Sequence, residues 1–220
     1  MHPVLRLYED VLSSAENVVF RLPPLPRFLF VVQGSARIGD QAVNEGEAWQ
    51  GEAAITVKPG KAGVTCWRWE LARGDQGSTT ANAPGMMTHE KLTAFLETLP
   101  KGDLLMRGDS VAFPPGGCAY LHRHQGPGIR CLIEGGIRID THSRSTSYGP
   151  GGAWYESGPD AVFAQAAPDA RSRFIRVMIL PRELAGKSSI QYVNEDDKAK
   201  PKSQEYKIYA DAPIAFGAKK

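Results

Sequence analysis

The 220-residue chain predicts an all-β fold of two barrels in one chain, joined by a short linking helix. Three observations lead there. Short apolar runs are punctuated throughout by Gly and Pro, which suits antiparallel barrels or sandwiches rather than βαβ units. A strand, Gly turn, strand pattern occurs twice, at Phe30-Val31-Val32-Gln33-Gly34-Ser35-Ala36-Arg37-Ile38 and at Cys131-Leu132-Ile133-Glu134-Gly135-Gly136-Ile137-Arg138-Ile139. One stretch, Thr88 to Leu99, carries apolar residues at helical spacing.

The first repeat, 1–73, contains the earlier hairpin, then Gly46-Glu47-Ala48-Trp49 and the apolar strand Thr65 to Leu71. The linker, 74–100, begins with a stretch rich in Gly, Ser, Thr, Asn and Pro up to Gly85. Its helix starts at Thr88 as N-cap, presents Leu92, Phe95, Leu96 and Leu99 to a barrel, and ends at Pro100. The second repeat, 101–182, restates the pattern in the same order, with Gly151-Gly152-Ala153-Trp154 and the strand Arg173 to Leu180. The remainder, 183–220, is polar and reads as an exposed arm with one strand at Glu205 to Tyr209.

Composition narrows the functional classes. Hydrophobic residues are 42% and charged residues 23%, with no long apolar run, which argues against disorder and membrane spanning. A net charge of +2 leaves no basic footprint for nucleic acid. Cys66, Cys118 and Cys131 cannot all pair and show no C-x-x-C spacing, so reduced thiols and a cytoplasmic location are expected. The opening MHPVLRLYEDVL has acidic residues where a secretory signal would be apolar.

The chemistry concentrates at Gly116-Gly117-Cys118-Ala119-Tyr120-Leu121-His122-Arg123-His124. On a regular strand Cys118, Tyr120, His122 and His124 share one face, so two imidazoles point the same way and can clamp one ion. Tyr120 on that face is either a proton donor or acceptor toward a substrate or a packed barrel aromatic. Continuing the alternation places Arg130 and Leu132 inward, where Arg130 needs an anion: a substrate carboxylate or a partner such as Glu156.

Gly116, His122, His124 and Gly135 stand at the spacing of the first motif of the cupin superfamily, G-x5-H-x-H-x3-E-x6-G, which this region resembles. With the duplicated hairpin, the whole chain resembles a bicupin of two jelly-roll barrels whose N-terminal repeat is degenerate. The resemblance implies one divalent transition metal (Fe, Mn, Ni, Cu or Zn) bound by His122 and His124. It departs from the motif at Gly128, which occupies the glutamate position, and at Ala161, which occupies the histidine of the second motif. Glu156 is the leading substitute for the missing ligands, ahead of Asp160 and Gln165, and its alternative is a solvated loop carboxylate. In the first repeat Arg21, Pro23, Arg27 and Leu29 fall where the second has His122, His124, Gly128 and Arg130, so no ligand set is expected there.

These readings predict a metal-dependent enzyme acting on a small anionic organic molecule, a dioxygenase before an isomerase or lyase, working as a homodimer. The competing class is a non-catalytic barrel that binds a small molecule through Arg130.

Overall fold

The structure, a computed structural model, describes residues 2–15, 17–74 and 80–216. Residues 75–79 of the expected linker lie outside the described residues. Strand accounts for 62% of the described residues and helix for 3%, which establishes the all-β class. The chain forms two compact units, 1–97 with 214–220 and 98–213.

The first unit is one eight-stranded sheet of β1 (Pro3–Leu12), β2 (Phe20–Leu22), β3 (Arg27–Ile38), β4 (Gln41–Asn44), β5 (Ala48–Gly51), β6 (Ile55–Arg73), β7 (Asn82–Ala83) and β8 (Met86–Phe95). Alternating apolar side chains of β3 and β6 meet in a core that includes Leu29, Val31, Ile38, Val57 and Cys66. The run Pro23-Pro24-Leu25-Pro26 offers too few N–H donors to continue a ladder, so β2 stops at Leu22. The interior also holds charge. Arg27 donates to Glu70 at 2.6 Å, Arg68 donates to Asp10 at 2.6 and 3.0 Å and meets Glu70 at 2.7 Å, and the Thr88 hydroxyl donates to Asp10 at 2.7 Å. Two guanidiniums and two carboxylates cancel in a dry core, where either sign alone would be costly.

The expected helix at Thr88–Leu99 is instead β8, paired antiparallel with β1. A register shift opposite Leu7 and Tyr8 leaves Lys91 as an extra residue in β8. Beyond that bulge Leu92, Ala94 and Leu96 share one face by strand alternation while Phe95 is 67% exposed, so the helical spacing arises from an apolar residue on the outer face of a strand.

The second unit contains two five-stranded sheets. One runs β13 (Arg144–Tyr148), β12 (Ile137–Thr141), β15 (Val162–Ala166), β10 (Cys118–His124), β17 (Ile190–Tyr192). The other runs β14 (Ala153–Glu156), β11 (Gly128–Glu134), β16 (Ser172–Pro181), β9 (Leu104–Phe113), β18 (Glu205–Ile214). No sheet closes on itself. The units share a pairing scheme. The series β5, β3, β6, β1, β8 of the first is matched by β14, β11, β16, β9, β18 of the second. The glycines of the two equivalent hairpins, Gly34 and Gly135, are both left-handed at φ of 80° and 77°. At each a Cβ would collide with a facing carbonyl, of Gly63 and of Arg171 respectively, which explains glycine at both turns.

The polar residues after 182 are not simply exposed. They form β17, the one-turn helix α1 (Asp196–Ala199) and β18, and they bury Ser189, Asp197 and Gln204.

Candidate metal centre

A row of paired residues crosses one sheet of the second unit: Trp154 on β14 faces Arg130 on β11, which faces Arg176 on β16, which faces Asp109 on β9. Two residues along, Glu156 faces Gly128. Because side chains alternate across a strand, this whole set points to the same side, toward β10 of the other sheet. His122 and His124 project from β10 into the same small cavity, whose walls include Ala119, Phe174, Trp154 and Arg176.

The two imidazoles approach with Nε2 atoms 3.2 Å apart and ring planes at 80°. His122 Nδ1 is 2.7 Å from the Tyr120 carbonyl, and His124 Nδ1 is 3.3 Å from the Ser189 hydroxyl. Glu156 Oε2 is 3.7 Å from His124 Nε2 and 2.7 Å from Arg130 Nη2, while its Oε1 accepts from Trp154 Nε1 at 2.9 Å. Arg130 Nη1 also donates to the Gly128 carbonyl at 2.7 Å. Arg176 makes a two-pronged pair with Asp109 at 2.9 and 2.7 Å and places Nη1 3.5 Å from His124 Nε2.

Burial holds both histidines below the ordinary imidazole range, His124 well below it, with the guanidiniums of Arg176 and Arg130 pushing the same way. Glu156 opposes the effect on His122. The rings are therefore neutral at physiological pH, the form in which imidazole ligates metals. Burial likewise draws Arg130 down to about 10, against the attraction of Glu156, so it stays charged at neutral pH. With two guanidiniums and two carboxylates, the cavity is formally neutral.

The site's residues fit a divalent transition ion. One ligand atom from each of His122, His124 and Glu156 falls within 4.8 Å of the others. Glu156 Oε2 is buried and paired with Arg130 at 2.7 Å, and a carboxylate oxygen with two lone pairs keeps acceptor capacity toward His124 Nε2, 3.7 Å away. Two imidazoles and one carboxylate form a three-ligand set that leaves positions free for a substrate.

Arg130 faces inward as the alternation predicts, and it contacts Glu156, the partner proposed for it as an ion pair. Glu156 is 8% exposed and is not a solvated loop carboxylate. Tyr120 is displaced from the expected face. The pairing of β10 with β15 shifts between Ala119 and His122, so Ala119, His122 and His124 line the cavity while Cys118 and Tyr120 do not. The Tyr120 ring instead carries Lys200 Nζ at 4.9 Å and Lys202 Nζ at 5.3 Å. Asp160 is hydrogen-bonded to Ser157 and 3.3 Å from exposed His142, and Gln165 donates to the Gly116 carbonyl, so neither reaches the histidines. Gly128 does not leave the space that its small size suggests. A Cβ there would strike the Val177 carbonyl and stand 2.9 Å from Met178 Cγ, so a glutamate cannot occupy it without backbone movement.

Sequence reasoning did not find Arg176, Asp109 or Ser189. The first two carry a readable signal: each is a charged residue at an inward parity of an apolar strand, Phe174-x-Arg176-x-Met178 and Arg107-x-Asp109-x-Val111. Ser189 carries none, because only the fold brings it to His124.

No family model matches the sequence, and no curated protein matches it significantly. Solved structures do match. A variant of oxalate decarboxylase OxdC from Bacillus subtilis aligns with TM-score 0.58 at 12% identity, over 89% of this chain and 73% of that one. AerE from Microcystis aeruginosa aligns with TM-score 0.58 at 12% identity, over 82% of this chain and 89% of that one. A cupin 2 conserved barrel domain protein from Leptotrichia buccalis aligns at TM-score 0.49 and 11% identity, over 81% and 84%. Identities this low speak to fold alone, and the fold of this chain is of the cupin type.

Proposed function

We propose that the second unit is a metal-dependent enzyme acting on a small anionic organic molecule, with His122, His124 and Glu156 holding the ion. The observation that carries this is the convergence of two neutral imidazole Nε2 atoms, 3.2 Å apart, with a buried carboxylate oxygen 3.7 Å from His124 Nε2. The bound ion would supply Lewis acidity at its open positions. Anionic substrate follows from charge: the guanidiniums and carboxylates already cancel, so a dication leaves two positive charges that an anionic ligand offsets. Arg130 and Arg176 would orient that ligand, and Arg130 can turn toward it from Glu156. Oxalate decarboxylase, one fold neighbour, is named for a small dicarboxylate, which supports the same class. Within it we place a dioxygenase reaction first and decarboxylation second.

We further propose that each unit is one repeat of a duplicated barrel, the first having lost its site to the Arg27–Glu70–Arg68–Asp10 network, and that the protein is a cytoplasmic homodimer. The shared pairing scheme supports the duplication. Among the described residues no helix is long and apolar enough to cross a membrane.

One contact favours a second reading. The 2.7 Å approach of Arg130 to Glu156 is the arrangement of a barrel that binds small molecules without a metal. Incubating the metal-loaded protein with a panel of small carboxylates, while following oxygen uptake and carbon dioxide release, separates the two. Turnover that vanishes in the His122→Ala/His124→Ala variant supports the enzyme. Ligand binding that is unchanged in that variant, with no turnover, supports the binding protein.

A further inference from the structure

We propose that Ser189 is a positioning residue whose hydroxyl sets which nitrogen of His124 carries the proton, donating to Nδ1 in the metal-free site and accepting from Nδ1 when a cation is held. The inference rests on the metal-binding reading above.

The argument follows hydrogen-bond direction through the site. The Tyr120 carbonyl can only accept, so the 2.7 Å contact requires a proton on His122 Nδ1. An uncharged imidazole protonated there has only a lone pair at Nε2. The 3.2 Å contact between the rings is then a hydrogen bond only if His124 Nε2 donates, and a donating Nε2 leaves the longer, 3.5 Å approach of Arg176 Nη1, which can only donate, as a contact without a hydrogen bond. That leaves His124 Nδ1 as an acceptor, and the Ser189 hydroxyl at 3.3 Å is its donor. The side chains thus form one connected chain from Ser189 through both rings to the Tyr120 carbonyl, and no ring nitrogen of the pair is left without a partner.

Holding a cation reverses part of the chain. Both Nε2 atoms must offer lone pairs, so His124 gives up its Nε2 proton and takes one at Nδ1, with no net change in the protons bound by the ring. Ser189 must then accept from Nδ1, and its own hydrogen needs another acceptor. Met178 Sδ stands 3.8 Å from Ser189 Oγ and serves as that acceptor. A serine hydroxyl, able to rotate and to act as donor or acceptor, suits both states; alanine suits neither.

The segment carrying Ser189 is held firmly. Arg107 donates to the carbonyls of Leu184 at 2.7 Å and Lys187 at 2.8 Å, and it pairs with Asp211, which also accepts from the Gly186 amide at 2.7 Å. Gln125 donates its amide to the Ser189 carbonyl at 3.2 Å, and the next residue, Ile190, pairs with His124 across β17 and β10. Residues beyond the second repeat's motifs therefore complete the surroundings of His124.

Nitrogen-15 NMR of histidine side chains in the full-length protein tests this, with His122→Ala and His124→Ala as assignment controls and Zn2+ as the probe ion. In the metal-free protein His122 is expected to be protonated at Nδ1 and His124 at Nε2, and Zn2+ should shift the His124 proton to Nδ1. Ser189→Ala should weaken Zn2+ binding by about 10–100-fold, the range for outer-shell partners, and Ser189→Thr should restore it. His124 protonated at Nδ1 before metal is added would overturn the proposal, as would Ser189→Ala binding Zn2+ as tightly as the parent. Expected metal-free tautomers without Zn2+ binding would instead remove the metal reading, and the switch with it, while leaving the hydrogen-bond chain intact.

Discussion

Replacing Glu156 by glutamine tests the roles of this carboxylate with little change of shape. Glu156 is 8% exposed and Arg130 0%, and their atoms stand 2.7 Å apart. Removing one partner of a buried ion pair costs about 3–5 kcal/mol. Glutamine retains an oxygen that can accept from Trp154 Nε1, so the loss should fall near the lower end, about 3 kcal/mol. At roughly 4 °C per kcal/mol for a domain of this size, that is a fall of about 12 °C in Tm. Metal binding should weaken more than about 100-fold, beyond the effect of losing an outer-shell contact, because one of three ligands loses its charge. Calorimetric melting and Zn2+ titration of the same preparation measure both. A stability loss with unchanged Zn2+ affinity would refute Glu156 as a ligand and leave it as the counter-charge of Arg130 alone.

Three further outcomes are expected. Gly128→Ala should destabilise by about 1–3 kcal/mol, as overpacking does, because its Cβ meets the Val177 carbonyl; a denaturant midpoint equal to the parent's would contradict that packing. Asp10→Ala in the first unit should cost about 3–5 kcal/mol by leaving the buried Arg27 and Arg68 to share Glu70 alone, yet leave metal content as it was; loss of metal would tie the network to the site. Cys66 and Cys131 are buried, and burial pushes the Cys66 thiol well above its ordinary range, whereas Cys118 is half-buried. A thiol reagent should therefore modify Cys118 first under native conditions and the other two only on unfolding. Early labelling of Cys66 would show that the first core is open.

The features that could be read from sequence were those that local pattern controls. The two hairpins follow from their turn glycines, the paired histidines and inward Arg130 from a period of two, and the candidacy of Glu156 from the positions the motif leaves unfilled at Gly128 and Ala161. The displaced assignments have two local causes. Phe95, an apolar residue exposed on the outer face of β8, gave that strand a helical spacing, and the shift between Ala119 and His122 turned Tyr120 away from the cavity. A bulge costs one residue of register and leaves little mark on composition, so periodicity cannot reveal it. The Arg176–Asp109 pair and Ser189 depend on strand neighbours far apart in sequence, which only the sheet order supplies. The fit of Gly128 against Val177 is of the same kind.

The central claim is that one ion binds to the second unit through His122 and His124. Elemental analysis of untagged protein after saturation with a divalent transition metal and desalting, beside the His122→Ala/His124→Ala variant, tests it most directly. The account predicts one ion per chain in the parent and none in the variant. Equal metal in both proteins, or none in either, would contradict it.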